Sequence, residues 1–240
     1  MKQIFLSLIS LFSITAFAQD TNVITDPTAI KRELSGSFKA ISVTDGIDLF
    51  LTQGNSESVS VSVADERYLE RFKTVLEDGT LRIFYDKKVI GIGINGKKKL
   101  KAYVTFKILQ KLTASSGADV FAKTSIEVGD LEMKFTSGAH FDGKVTAKNF
   151  TVEQNSGSGI VITGKSEKIN VDCSSGAIFK GYGFEVDNCT AKASSGAGVH
   201  ITVNKELIAK ANSGGGIRYK GSGMIKDINI SSGGMVKKEN

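Results

Sequence analysis

The sequence predicts an all-β chain wound as a single-stranded parallel β-helix, with coils of about 19–20 residues. Three observations predict it. A Ser-Gly motif recurs seven times at a near-constant period, and the residues between copies alternate apolar and polar. The composition also suits repeated tight bends, with 26 Gly, one Pro and no Trp among 240 residues. Alternation with period two is the signature of half-buried strands.

The chain reads in four stretches. Residues 1–18 have the form of a secretory signal peptide: Lys2, an apolar run from Ile4 to Phe17, and the small-x-small site Ala16-Phe17-Ala18 before Gln19. The run is shorter than the ~20 apolar residues needed to span a bilayer. No Cys follows it to carry a lipid anchor, and no later stretch approaches spanning length. The mature chain is therefore expected to be exported and to have no transmembrane segment. Residues 19–33 read as a flexible lead.

Residues 34–108 lack the Ser-Gly period and are expected to be β-rich early coils, or a cap on the solenoid. Phe38, Ile41, Val43, Ile47, Leu49 and Leu51 suggest extended strands around Asp45-Gly46, and Ser58 to Val63 alternates strictly. Asp65 to Phe72 is the one plausible helix, opened by an Asp N-cap. Val75 to Leu81 reads as a hairpin on a tight Asp78-Gly79 turn. Alternation resumes from Lys99 to Lys107.

Residues 109–236 carry the repeat, continuous with the stretch before it. The motif pairs are Ser116-Gly117, Ser137-Gly138, Ser156-Gly157, Ser175-Gly176, Ser195-Gly196, Ser213-Gly214 and Ser232-Gly233. The glycines are spaced by 21, 19, 19, 20, 18 and 19 residues. In offsets from each Gly, position −5 holds Leu112, Met133, Val152, Val171, Ala191, Ala209 and Ile228. Position +3 holds Val120, Phe141, Ile160, Phe179, Val199, Ile217 and Val236. These columns, with −3, are expected inside, stacked at about 4.8 Å from coil to coil. The invariant Ser at −1 is expected to point inward too, hydrogen-bonding along the stack. Offsets −2 and −4 are polar and face solvent. Each coil buries its face only against its neighbours, so an end needs a cap.

Candidate chemistry is sparse. Gly91-x-Gly93-x-x-Gly96 formally matches a dinucleotide loop, but Lys97-Lys98-Lys99-Leu100-Lys101 and a strand follow it, not the helix N-terminus such a site requires. His140 and His200 fall at outward offsets in coils three apart, too far for one metal. Glu153 and Asp172 stack at −4, but Lys134 and Lys192 flank them in the same column. That is a neutralising ladder rather than the carboxylate cluster of a polysaccharide-cleaving β-helix. Cys173 and Cys189 both point inward, about 13 Å apart along the axis, beyond disulfide reach. Two unpaired, buried thiols are expected. No catalytic, metal or cofactor residue is assigned. The basic run Lys97, Lys98, Lys99 and Lys101 is a possible binding patch, balanced against a protected strand edge.

With these residues in view the chain resembles the putative auto-transporter adhesin, head GIN domain family of Gram-negative bacteria. The resemblance rests on Phe38-x-x-Ile41-x-Val43, Gly46-Ile47-Asp48-Leu49, Gln53-Gly54, Asp78-Gly79-x-Leu81-x-Ile83 and the Ser-Gly repeats. Asp48 stands where the family has Asn. The resemblance implies a β-helix and a role in cell adhesion, and supplies no catalytic residues.

The expected function is a non-enzymatic cell-envelope binding or adhesion module, presenting polar ladders to a glycan or a protein. The alternative is a periplasmic structural or envelope-stress sensing component, with a polysaccharide lyase or hydrolase behind it. Nucleic acid is not an expected partner, and the sequence leaves the oligomeric state open. The expected location is the periplasm, cell surface or exterior of a Gram-negative bacterium.

Overall fold

The structure, a computed structural model, describes residues 26–86 and 98–240. The signal peptide, the Gly91–Gly96 loop and Lys97 lie outside the described residues. In chain order the strands are β1 (Ile30–Arg32), β2 (Ala40–Val43), β3 (Asp48–Gln53), β4 (Ser58–Ser62), β5 (Phe72–Glu77), β6 (Thr80–Tyr85), β7 (Lys101–Phe106), β8 (Lys111–Ala114) and β9 (Asp119–Ala122). Then follow β10 (Ile126–Phe135), β11 (His140–Gln154), β12 (Gly159–Cys173), β13 (Ile178–Ala193), β14 (Gly198–Ala211), β15 (Gly216–Lys220), β16 (Met224–Ile230) and β17 (Met235–Lys238). From β8 onward each coil pairs in parallel with the next, one repeat further along the chain, as Val152 with Val171 and Val171 with Ala191. This is a parallel β-helix.

In the coil after Ser175 the inward alternation breaks at Ser175-Gly176, Tyr182-Gly183 and Asp187-Asn188, which gives three sides. The columns at −5, −3 and +3 line the core, with Phe135, Phe141, Phe179 and Met133 essentially without exposure. Each such side chain contributes about 1.5–3 kcal/mol of burial. Cys173 and Cys189 are both free and buried. Burial pushes both thiols up to about 12, so they stay protonated and pack as small apolar groups.

The Ser at −1 corrects the expectation of an inward hydroxyl column: all seven are exposed. Ser175 and Gly176 both lie in the left-handed region, at φ 51° and 74°, and the other six pairs repeat this. The Ala177 N–H donates to the Ser174 carbonyl at 3.1 Å, closing a four-residue turn. Positive φ at both central residues makes this a type I′ turn. Such a turn swings both central residues out of the pleat, so simple alternation counted across it puts Ser on the wrong side. The corner residue that is buried is the one at +1, such as Ala118, Ala139 or Ala177. Corners stack through the backbone: the Gly157 N–H donates to the Ser175 carbonyl and the Gly176 N–H to the Ser195 carbonyl, each at 3.1 Å.

An eighth corner heads this ladder. Asp45 and Gly46 take φ 65° and 66°, and the Gly46 N–H donates to the Ser116 carbonyl at 3.0 Å. Ile41, Val43, Ile47 and Leu49 fall in the buried columns around it. The coil formed by β2 and β3 lies between the β6–β7 coil and the β8–β9 coil. The chain therefore enters at the second coil, runs out to the end, and returns.

Beyond the β6–β7 coil the pairing turns antiparallel. β5 pairs with β6 through the Asp78-Gly79 turn, β4 with β7, and β1 with β4. Two expectations are corrected here. The helix over 65–72 is only a 3-10 turn, Glu66–Tyr68, capped by the Asp65 carboxylate accepting from the Arg67 N–H. Its Tyr68 is buried in the core, and the chain is already extended again at Phe72, the start of β5. Residues 26–33, read as part of a flexible lead, are held in place. The Asp26 carboxylate accepts from the Ser62 hydroxyl at 2.7 Å and the Tyr103 hydroxyl at 2.8 Å. Residues 30–32 form β1.

Candidate binding face

Because the backbone repeats, outward side chains form straight columns at the strand spacing. The sides differ in how their charges are balanced. On the side before the corner Lys111 pairs with Glu132 at 2.7 Å, Lys134 with Glu153 at 2.9 Å, and Lys192 with Asp172 at 3.7 Å. Glu153 and Asp172, the stacked carboxylates of the −4 column, are thus each tied to a lysine. On the third side Lys205 pairs with Asp187 and Lys226 with Glu206, both at 2.8 Å.

The side after the corner is divided. Its N-terminal half carries a three-ring ladder: Phe50 stacks on Tyr103 at 5.1 Å and on Phe121 at 5.4 Å, with Lys123 4.8 Å from the Phe50 ring centre. Beside it Asp48 is registered between Lys101 and Asp119. Desolvation and the charge of Asp119 raise the Asp48 carboxyl above its ordinary range, against the pull of Lys101. His140 follows, 3.5 Å from Asp119.

The C-terminal half is cationic. Column +4 runs Lys180, His200, Arg218, Lys237 through four consecutive coils in direct register. Glu239 is the carboxylate near it, 3.6 Å from Arg218 and 3.4 Å from Lys237. Tyr182 stacks flat on His200 at 5.1 Å and 9°, and Lys220 sits 5.2 Å from the Tyr182 ring centre. Partial burial, Arg218 and Lys180 hold the His200 pKa below the usual imidazole value, against Glu239.

The basic run singled out in the sequence is differently placed. Lys98 lies 4.0 Å from the Tyr85 ring centre at the N-terminal end. Lys99 is exposed with φ 45°, and Lys101 stands in register with Asp48. These residues are not brought together with the cationic column. The column itself was within reach of the sequence: all four members sit four residues after a motif Gly, and writing out that offset beside −4 exposes them. Among the described residues no group of three His, Cys, Asp or Glu could hold a metal ion, and no helix is long and apolar enough to cross a membrane.

A β-helix with such corners and outward ladders defines a class of solenoid repeat proteins. The chain belongs to the family described as "putative auto-transporter adhesin, head GIN domain", whose model matches residues 37–223. A "putative adhesin" from Bacteroides fragilis superposes with TM-score 0.79 at 15% identity, over 89% of this chain and 98% of that one. One from Parabacteroides merdae gives 0.69 at 20% identity, over 88% and 95%. A "putative lipid binding protein" from Parabacteroides distasonis gives 0.63 at 16%, over 90% and 98%. At these identities the likeness is one of fold. No curated protein matches the chain.

Proposed function

We propose that this protein is a non-enzymatic binding module of the cell envelope, exported and presenting the side of its solenoid after the corner to a partner. The observation that carries this reading is the division of that side into an aromatic half and a cationic half. Membership of an adhesin family supports it. A lyase or hydrolase reading has less support, since Glu153 and Asp172 are each tied to a lysine.

The experiment is surface accessibility. Intact cells making the protein are treated with protease or an impermeant label, beside a periplasmic control. Labelling without lysis is the expected result and places the solenoid where adhesion can occur. Protection until the outer membrane is breached would replace adhesion by a periplasmic structural or sensing role.

A further inference from the structure

We infer that the column Lys180–His200–Arg218–Lys237 is a binding track for a linear polyanionic polysaccharide lying along the solenoid axis. The inference rests on the binding-module reading above and adds the ligand class.

Charge balance is the first argument. Like charges directly opposite on neighbouring strands destabilise a sheet. Elsewhere on this solenoid several cations stand beside carboxylates of the next coil, as in Lys134–Glu153 and Lys226–Glu206, and where Lys192 meets Lys210 in register it also reaches Asp172. The +4 column places three cations, Lys180, Arg218 and Lys237, in four consecutive coils with His200 between the first two, and one carboxylate, Glu239, shared by the last two. Lys220 adds further positive charge close by, over the Tyr182 ring.

Geometry is the second. The parallel register sets the four side chains at about 4.8 Å intervals on a rigid ladder, Arg218 and Lys237 in adjacent coils and Lys180 two coils from Arg218. A chain with one acidic group per sugar ring has a comparable repeat and can place successive carboxylates over successive coils. The ladder exists before binding, so little ordering is needed.

Access is the third. The next outward column, at +2, runs Ile178, Gly198, Gly216, Met235, so beside His200 and Arg218 it carries no side chain. A Cβ built on Gly198 meets nothing within 4 Å, so packing does not demand glycine there. Between Ile178 and Met235 this leaves a short shelf open to a ligand, walled on the far side by Tyr182 and Lys220. The Phe50 ladder is a poorer sugar platform, because its ring faces are covered by one another.

The test uses the full mature chain and oligogalacturonate as the probe, with neutral dextran and phosphatidylglycerol vesicles as comparators. Oligogalacturonate is expected to bind, more weakly as salt rises, while dextran does not. Arg218→Gln and Lys180→Gln should each weaken binding roughly five- to tenfold. Lys210→Gln, on another side, should leave it within twofold. Gly198→Phe fills the shelf without altering charge; it should abolish binding while the melting temperature holds. Bound polyanion should also raise the His200 pKa, read by NMR, against the opposing charges of Arg218 and Lys180. No binding at low salt would overturn the inference, as would equal losses in Lys210→Gln, unchanged binding in Gly198→Phe, or preference for vesicles. Surface labelling without polyanion binding sinks this inference alone. Polyanion binding by a protein hidden behind the outer membrane sinks adhesion alone.

Discussion

The two ends of the solenoid bury the same kinds of residue to very different degrees. At the N-terminal end the outermost coil, β6–β7, is overlaid by antiparallel β5 and β4, and Phe72, Tyr68, Val59 and Val61 close the core. At the C-terminal coil, Ile228 and Ile230 occupy the −5 and −3 columns yet remain 45% and 47% exposed. One coil earlier Ala209 and Ala211, in the same columns, are 0% and 1% exposed. Column position sets direction, and burial depends on whether another layer follows. Stability in such a stack is a sum of nearest-neighbour interfaces.

The largest expected effect sharpens that contrast. Phe179→Ala, in an interior coil, should cost about 3–5 kcal/mol in urea denaturation. Ile230→Ala, in the open coil, should cost under about 1 kcal/mol. Equal costs would show that the last coil is covered in solution.

Next comes the overlay itself. Phe72→Ala should cost about 3 kcal/mol and speed amide exchange in β6 and β7 before it does so in β12. Uniform acceleration along the stack would mean that the coils unfold as one unit.

Corners should follow the same gradient. Gly176→Ala forces Cβ into φ 74° and should cost about 1–2 kcal/mol. Gly233→Ala should cost less, because the strands it joins are half-uncovered. Ser175→Asn should stabilise by a few tenths of a kcal/mol or about 0.5 at most, since Asn tolerates the left-handed region better than Ser.

The smallest effect concerns pH. Hydrogen bonds from Thr28, Ser62 and Tyr103 hold the Asp26 carboxyl well below the ordinary carboxylate range. Tyr103, in turn, is pushed up to about 12 by burial and by its bond to Asp26. A depressed acid contributes stability above its unfolded pKa of about 3.9 and loses it as pH falls toward the folded value. Asp26→Asn should therefore flatten the acid side of the urea-midpoint profile. Asp48 has the opposite sign. Its raised pKa means the folded state gains stability as pH falls through that value, so Asp48→Asn should stabilise at neutral pH.

Much of this was legible in the chain because a repeat protein writes each contact several times. The −5 and +3 columns follow from counting offsets, and the Asp78-Gly79 hairpin from its turn residues. The Asp45-Gly46 corner was harder. Asp replaces Ser there, and 71 residues separate Gly46 from Gly117 because β4 to β7 intervene. The binding face was also only partly visible. The clustered lysines at 97–101 stand out in one dimension, whereas Lys180, His200, Arg218 and Lys237 are far apart in sequence and adjacent only in the stack.

The sequence by itself determined the period, the inward columns and the parallel stacking, because those depend on local alternation and on neighbours one repeat away. The tertiary structure alone decided three things: that β2–β3 slots between later coils, that the corner Ser turns outward, and that Tyr182 lies flat on His200 beside the cationic column. Each depends on a long-range pairing or a left-handed turn, and period-two alternation carries no information about either.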